Sequence, residues 1–255
     1  MNHYQSAICR RPSTNSAQGL TSVDLGVADL QLLMKQHDQY LSALVDLGLE
    51  VTLLDALEEF PDSYFTEDVA IVTPEVAVIT RPGAIQRRGE TKFIENALAK
   101  FRDLEVIQNP GTLDGGDVLV VNKHCVVGLS ERTNHAGAIQ LGGILGGFGY
   151  HTDIVNVPEA LHFKSSVNFV DQYTLLVTQA CYEMDCIAQY RKLVVPQGEE
   201  YAANVVWMND IILMPEGYPG TRRLLEENGY LVREMAVSEI SKMDGGLTCL
   251  SLRLT

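Results

Sequence analysis

Paired apolar runs recur along the chain, each divided by a short polar turn. They span residues 69–80 (VAIVTPEVAVIT), 118–129 (VLVVNKHCVVGL), 167–178 (VNFVDQYTLLVT) and 204–215 (NVVWMNDIILMP). Each reads as two short strands joined at Thr73-Pro74-Glu75, Asn122-Lys123-His124, Asp171-Gln172 or Asn209-Asp210. A fifth apolar strand, 247–254 (LTCLSLRL), ends the sequence and can pair with residues 6–10. Between the runs lie stretches with helical spacing at 29–47, 91–101, 136–145, 183–190 and 221–228. Gly48 and Gly229 stand where helix C-termini want a residue of positive φ. One further strand follows each helix, at 51–54, 105–107, 153–157, 193–195 and 231–237.

The order helix, strand, hairpin therefore repeats five times over 255 residues, about 51 per unit. A unit of that size cannot bury its own apolar face and must pack on its neighbours. Pairing the first and last strands closes the units into a ring and removes open sheet edges. No low-complexity tract or Pro/Ser-rich linker divides the sequence, so residues 1–255 read as a single domain. The bland alternative is a mixed α/β sandwich with coincidental spacing.

Hydrophobic residues make up 46% of the chain, enough for a sizeable core without disulfide or metal staples. The net charge of −14 would repel a phosphate backbone or an anionic membrane, and favours small cationic ligands. No apolar run approaches the roughly 20 residues of a membrane span, and residues 1–13 lack a signal-peptide core, so the expected location is the cytoplasm. Five cysteines without a C-x-x-C pair read as reduced thiols and not as a zinc site.

The entry to every hairpin carries a polar cluster: residues 65–68 (FTED), 113–117 (LDGGD), 161–165 (LHFKS), 201–204 (YAAN) and 244–249 (DGGLTC). In a ring, equivalent positions converge on the axis, so carboxylates, His162 and Cys249 would share one cavity. Each has an ordinary structural reading as well: a core thiol, a structural histidine, acids that cap a turn, Gly-Gly pairs that make tight turns. A Cys–His pair supports nucleophilic catalysis. Carboxylates beside it disfavour a thiolate unless the substrate is a cation. A guanidinium is planar and matches carboxylates through paired hydrogen bonds, so the chemistry suggested is attack of a cysteine on a guanidinium-like carbon.

The segments FPDSYFTEDVAIV (60–72), VITRPGAIQRRGE (78–90), NPGTLDGGDVLVV (109–121), GLSERTN (128–134), LHFKS (161–165), YAAN (201–204) and KMDGGLTCLSL (242–252) run in order over nearly the whole chain. In them the sequence resembles the dimethylarginine dimethylaminohydrolases of the guanidine-modifying (pentein) superfamily. The resemblance implies a five-bladed, pseudo-symmetric α/β propeller of ββαβ units. It implies hydrolysis of Nω-methylated arginine to citrulline and a methylamine through a covalent thiouronium, with no metal or organic cofactor. It assigns Cys249 as nucleophile and His162 as the proton-transfer residue. Asp68 would hold the guanidinium with Glu67 beside it, and Asp114 would hold the guanidinium or orient His162. Arg87 and Arg132 would clamp the α-carboxylate. Asp62 would accept from the α-ammonium together with the main-chain carbonyls of Leu20 and Met243. Thr66 departs from the family pattern, which has Val there. Residues 17–26 are the expected lid. Zinc capture by Cys249 and His162 would be incidental. The partner expected is a small cationic amino acid, with neither nucleic acid nor membrane, and a homo-oligomer is compatible with the sequence. The rival functions are an arginine deiminase-like enzyme, a citrulline ureidase, a non-catalytic binder on the same scaffold, or an amidinotransferase, which needs an amine acceptor in place of water.

Overall fold

The computed structural model describes residues 3–22, 24–157 and 161–255. The expectations for Met1, Asn2 and Val23 fall outside the described residues.

The apolar runs fold as the pattern requires. β1 (Ser6–Arg10), β2 (Glu50–Leu54) and β15 (Leu252–Leu254) form one three-stranded sheet. The second holds β3 (Ala70–Val72), β4 (Val76–Ile79) and β5 (Asp103–Val106), the third β6 (Val118–Val121), β7 (His124–Leu129) and β8 (His151–Asn156). The fourth holds β9 (Val167–Phe169), β10 (Thr174–Val177) and β11 (Arg191–Val194), the fifth β12 (Val206–Met208), β13 (Ile211–Pro215) and β14 (Leu231–Met235). Every sheet combines one antiparallel and one parallel pairing around its central strand. The β12–β13 turn places Asn209 and Asp210 at φ +49° and +73°, the geometry that two-residue hairpins demand. In the first sheet β15 runs antiparallel to β1, with Ser6 opposite Leu254 and Ile8 opposite Leu252, so the two ends of the chain complete one blade.

Helices fill the joints between blades. In α1 (Leu30–Asp46) Asp29 caps the first turn, accepting from the N–H groups of Gln31 (2.9 Å) and Leu32 (3.1 Å). Its buried face, Leu33, Tyr40, Ala43 and Leu44, packs with Cys9 of the first sheet and Val206, Met208 and Met235 of the fifth. α2 (Lys92–Leu98) inserts Ile94 and Leu98 among Ile8, Leu252, Ala77 and Ile79. α3 (His135–Gly146) sets Ala138, Leu141 and Leu145 against Val78, Val118 and Val127. α4 (Pro219–Glu227) puts Leu225 among Leu176, Leu193, Ile212 and Met214. The five sheets thus join in a closed ring, the α/β propeller expected from the repeat.

One joint departs from expectation. No α-helix forms at 183–190; two 3-10 turns, Gln179–Cys181 and Asp185–Ile187, stand there instead. The apolar residues that face the core, Cys181, Met184 and Ile187, recur every third position, one per turn of a 3-10 helix. The terminal strand is also shorter than 247–254, because Thr248–Leu250 forms a 3-10 turn before β15. Among the described residues no helix is long and apolar enough to cross a membrane.

Candidate active site

A 3-10 turn leads into one hairpin strand of every blade: Thr66–Val69, Gly115–Asp117, Phe163–Ser165, Glu200–Ala203 and Thr248–Leu250. These turns crowd one another, and the Gly-Gly pairs make that possible. None of the four glycines has positive φ, so conformational freedom is not their purpose. A Cβ on Gly115 would lie 1.9 Å from the Glu67 carbonyl oxygen, and one on Gly116 would lie 2.5 Å from His162 Nδ1. On Gly245 it would meet the Phe65 ring at 2.3 Å, and on Gly246 the Asn204 Oδ1 at 2.4 Å.

Cys249 and His162 lie at the wall shared by two cavities. The larger, about 240 Å³, is lined by Leu25, Leu161, Lys164, Ser165, Tyr201 and Asn204 among others. The smaller, about 30 Å³, is lined by Leu20, Asp62, Asp68, Arg87, Arg132 and Met243. His162 Nε2 faces Asp114 Oδ2 at 3.3 Å. Burial alone would lower the histidine pKa, but the charge of Asp68, the hydrogen bond to Asp114 and the charge of Asp117 raise it to about 9. The Cys249 thiol is pushed up to about 12 by burial, by Asp68 and by Glu67, against weaker help from the Gly246 backbone and Lys164. Both shifts favour a thiol beside an imidazolium over a preformed thiolate–imidazolium pair. Asp68 takes a hydrogen bond from Gly116 N–H (3.1 Å). Burial would raise its pKa, but His162 and Arg87 hold it below the ordinary value. Asp114 Oδ1 accepts from Gly83 N–H at 2.9 Å, and its own N–H donates to Thr133.

At the other end of the site, both oxygens of Asp62 lie 3.1 Å from the Leu20 N–H. Burial raises the Asp62 pKa against the pull of Arg87 and that hydrogen bond. Gly19 permits this contact, since a Cβ there would meet Asp62 Oδ1 at 2.2 Å. The expected lid continues outward: Ser22 N–H and Oγ both reach Asp244 Oδ2, at 2.5 and 2.9 Å. The two expected clamp arginines differ. Arg132 is half-buried, and among the described residues its guanidinium has no hydrogen-bond or ion-pair partner. Arg87 is buried and occupied. It forms a paired contact with Glu90 (3.0 and 2.9 Å), donates to Asp68 at 2.5 Å, and reaches the carbonyls of Asp62 and Phe65 at 3.1 Å. At least four of its five N–H groups are spent within the protein.

Glu67 also differs from expectation. Its carboxylate is engaged by two cations: Oε1 takes Lys164 Nζ at 2.6 Å and Arg253 Nη2 at 2.9 Å, while Oε2 is buried without a partner. Glu67 lines a third cavity, about 140 Å³, with Tyr4, Asn168 and Arg253, and borders neither cavity that holds Cys249. The cause is charge pairing: Lys164 and Arg253 attract this carboxylate, and the acids around Asp68 repel it.

Several further residues, without a role in the sequence pattern, shape the site. Glu90 neutralises Arg87 from three positions along the chain. Asp117, the second acid of DGGD, accepts from the Phe163 N–H (3.0 Å) and from Ser130 Oγ (2.6 Å), which fixes the turn after His162. Asn204 ties the His162 turn to the Cys249 turn. The signal available for the last two was their place in the hairpin-entry clusters. Ligand atoms of Asp68, Asp114 and His162 lie within 4.8 Å of one another, a set that can receive a cationic group or a metal ion.

The arginine deiminase family model matches residues 50–190. The N(G),N(G)-dimethylarginine dimethylaminohydrolase of Pseudomonas aeruginosa is 38% identical over 252 residues, spanning 98% of this chain and 99% of its own. The enzyme of the same name from Streptomyces coelicolor is 38% identical over 251 residues, spanning 97% and 96%. A solved structure of the Pseudomonas aeruginosa protein, a C249S mutant complexed with citrulline, matches with a TM-score of 0.97 at 38% identity, covering 99% of this chain and 100% of that one.

Proposed function

The chain belongs to the dimethylarginine dimethylaminohydrolase family, and from that premise we propose that it hydrolyses Nω-methylated arginine to citrulline and a methylamine, with Cys249 as nucleophile. The observation that carries this is the position of Cys249 and His162 between a small, strongly charged cavity and a larger, mainly uncharged one. The first suits the amino-acid end of the substrate and the second the substituted nitrogen. The citrulline held by the Pseudomonas aeruginosa relative is the expected product and supports the same reading.

In this mechanism Arg132 pairs with the α-carboxylate, and Asp62 receives the α-ammonium with help from the carbonyls of Leu20 and Met243. Arg87 acts through Asp68 and Glu90, holding the acid that faces the guanidinium. Asp68 and Asp114 take the guanidinium N–H groups, and Asp114 also steadies His162. The arriving cation offsets the carboxylates around the sulfur, so the thiol loses its proton to solvent as the substrate binds. The thiolate adds to the guanidinium carbon. His162, already protonated, gives its proton to the departing methylamine, and an S-alkylthiouronium remains. The neutral imidazole then takes a proton from water, whose oxygen attacks the thiouronium carbon. Collapse releases Cys249 and citrulline. No metal or organic cofactor enters these steps.

The test is product analysis with asymmetric dimethylarginine, monomethylarginine, arginine, citrulline and methylated agmatine. Citrulline with dimethylamine or methylamine is expected from the first two, and poor turnover of methylated agmatine, which lacks the carboxylate. Faster release of ammonia from arginine would make the chain a deiminase. Equal turnover of methylated agmatine would remove the carboxylate clamp.

A further inference from the structure

The hairpin entry of the fifth sheet is the one without an acid, a histidine or a cysteine in its motif, YAAN at 201–204. Its side chains reach across to the nucleophile turn. Tyr201 Oη donates to the Gly245 carbonyl at 2.7 Å. Asn204, almost fully buried, uses both ends of its amide. Oδ1 accepts from the Thr248 N–H at 3.0 Å, and Nδ2 donates to the Lys164 carbonyl at 3.0 Å and to Thr248 Oγ1 at 3.1 Å. The orientation of this amide is forced: the Thr248 N–H needs an acceptor and the Lys164 carbonyl needs a donor, so reversing the amide would oppose like groups at both.

This arrangement commits one side of the Thr248 hydroxyl to Asn204 and leaves its proton facing Cys249. The oxygen accepts from Asn204, and among the described residues its proton finds no acceptor but Cys249 Sγ, 4.0 Å away. That separation suits a weak sulfur hydrogen bond, and such contacts tighten when charge develops. We propose that Thr248 is a catalytic residue whose hydroxyl donates a hydrogen bond to the Cys249 thiolate, and that Asn204 is the positioning residue that aims it. The proposal rests on Cys249 being the nucleophile. It answers a need the site creates. Asp68 and Glu67 oppose a negative sulfur and Asp244 stands at the cavity mouth, while Lys164 and His162 favour one. Tyr64 and Tyr201 stand near the sulfur as neutral phenols. Asp62, Arg87 and Arg132 lie across the small cavity. A neutral donor at the sulfur stabilises the thiolate without adding a cation that would repel the substrate guanidinium.

The test measures ionisation of Cys249 from its rate of alkylation by iodoacetamide against pH, with saturating acetamidinium standing in for the guanidinium. Mass spectrometry locates the adduct. Thr248→Val should raise the apparent pKa by about one unit, which slows alkylation roughly tenfold below the pKa. Thr248→Ser, which keeps the hydroxyl, should stay within about threefold of the parent. Asn204→Asp should behave like Thr248→Val, because a second carboxylate oxygen would draw the hydroxyl proton away from sulfur. With dimethylarginine, Thr248→Val should lower kcat while KM holds, a split that a merely loosened turn would not give. Thr248→Ala covers the case in which the valine variant does not fold. Valine or alanine variants that titrate like the parent would overturn the proposal. Failure of the parent protein to form any adduct on Cys249 during turnover would overturn the nucleophile assignment beneath it.

Discussion

Arg87 and Arg132 show what residue type alone cannot convey. Both are arginines in motifs that point to a carboxylate clamp, yet Arg87 is consumed by Glu90, Asp68 and two carbonyls, whereas Arg132 faces the cavity unpaired among the described residues. Their alanine variants should therefore differ in kind. Arg87→Ala strands two buried carboxylates and should cost about 3–5 kcal/mol in denaturant unfolding. Arg132→Ala should leave stability nearly unchanged and raise KM for methylarginine at least tenfold, with a smaller effect on kcat. If Arg87→Ala kept its full stability, the network around it would not be what holds Asp68. His162 carries the clearest pH signature. Its pKa rises from 6.5 to about 9 on folding, because Asp68, Asp114 and Asp117 bind the imidazolium. That contribution is complete below pH 6.5 and is lost as the pH climbs through 9. It amounts to on the order of 3 kcal/mol. The stability difference between the parent and His162→Gln should shrink by that order between pH 6 and pH 9.5, measured by urea unfolding. A difference independent of pH would mean that the ring is neutral in the folded protein.

Elements were legible where periodicity was strong. Strand pairs, their turns at 122–123 and 209–210, and four of the five expected helices appear at the expected places. The fifth failed for a physical reason. Cys181, Met184 and Ile187 repeat every three residues, a spacing that a short stretch does not distinguish from a helical face until the packing is known. The hairpin-entry clusters were legible as equivalent positions, so the convergence of Asp68, Asp114, His162 and Cys249 followed from sequence order. The direction of each side chain did not, because it is set by partners on other blades: Arg253 and Lys164 for Glu67, Leu20 N–H for Asp62. The glycines at these entries serve close approach and not turning. Gly116→Ala should therefore push the His162 ring off its position and reduce kcat by roughly 10²-fold, the usual cost of an ångström-scale displacement, while thermal unfolding shifts little. Wild-type kcat in that variant would show that the ring tolerates the movement.

At the scale of the molecule, ring closure and chemistry depend on the same device. The last strand pairs with the first, and the turn just before it carries Cys249. Leu252 and Leu254 also pack against α2 residues Ile94 and Leu98, so the end of the chain seals the joint between the first and second blades. Ending the chain at residue 251 removes β15, exposes an edge of β1 and opens that joint. The truncated protein should lose its cooperative unfolding transition and all turnover, as followed by circular dichroism and citrulline release. A truncated chain that unfolded with the parent midpoint would mean that closure contributes nothing. The ring also explains how acids accumulate near a thiol without defeating catalysis. Each blade delivers its entry turn to one place, and the summed negative field is useful because the substrate is a cation.

The proposed reaction stands or falls on a covalent bond between Cys249 and the substrate carbon during turnover. Mixing the protein with asymmetric dimethylarginine, quenching in acid within the first turnovers and mapping the adduct by peptide mass spectrometry tests this directly. A single adduct is expected on Cys249, with the mass of the amino acid portion after loss of dimethylamine, that disappears as citrulline forms and is absent from Cys249→Ser. Citrulline released at full rate with no adduct, or with the adduct on Cys9, Cys125, Cys181 or Cys186, would contradict it.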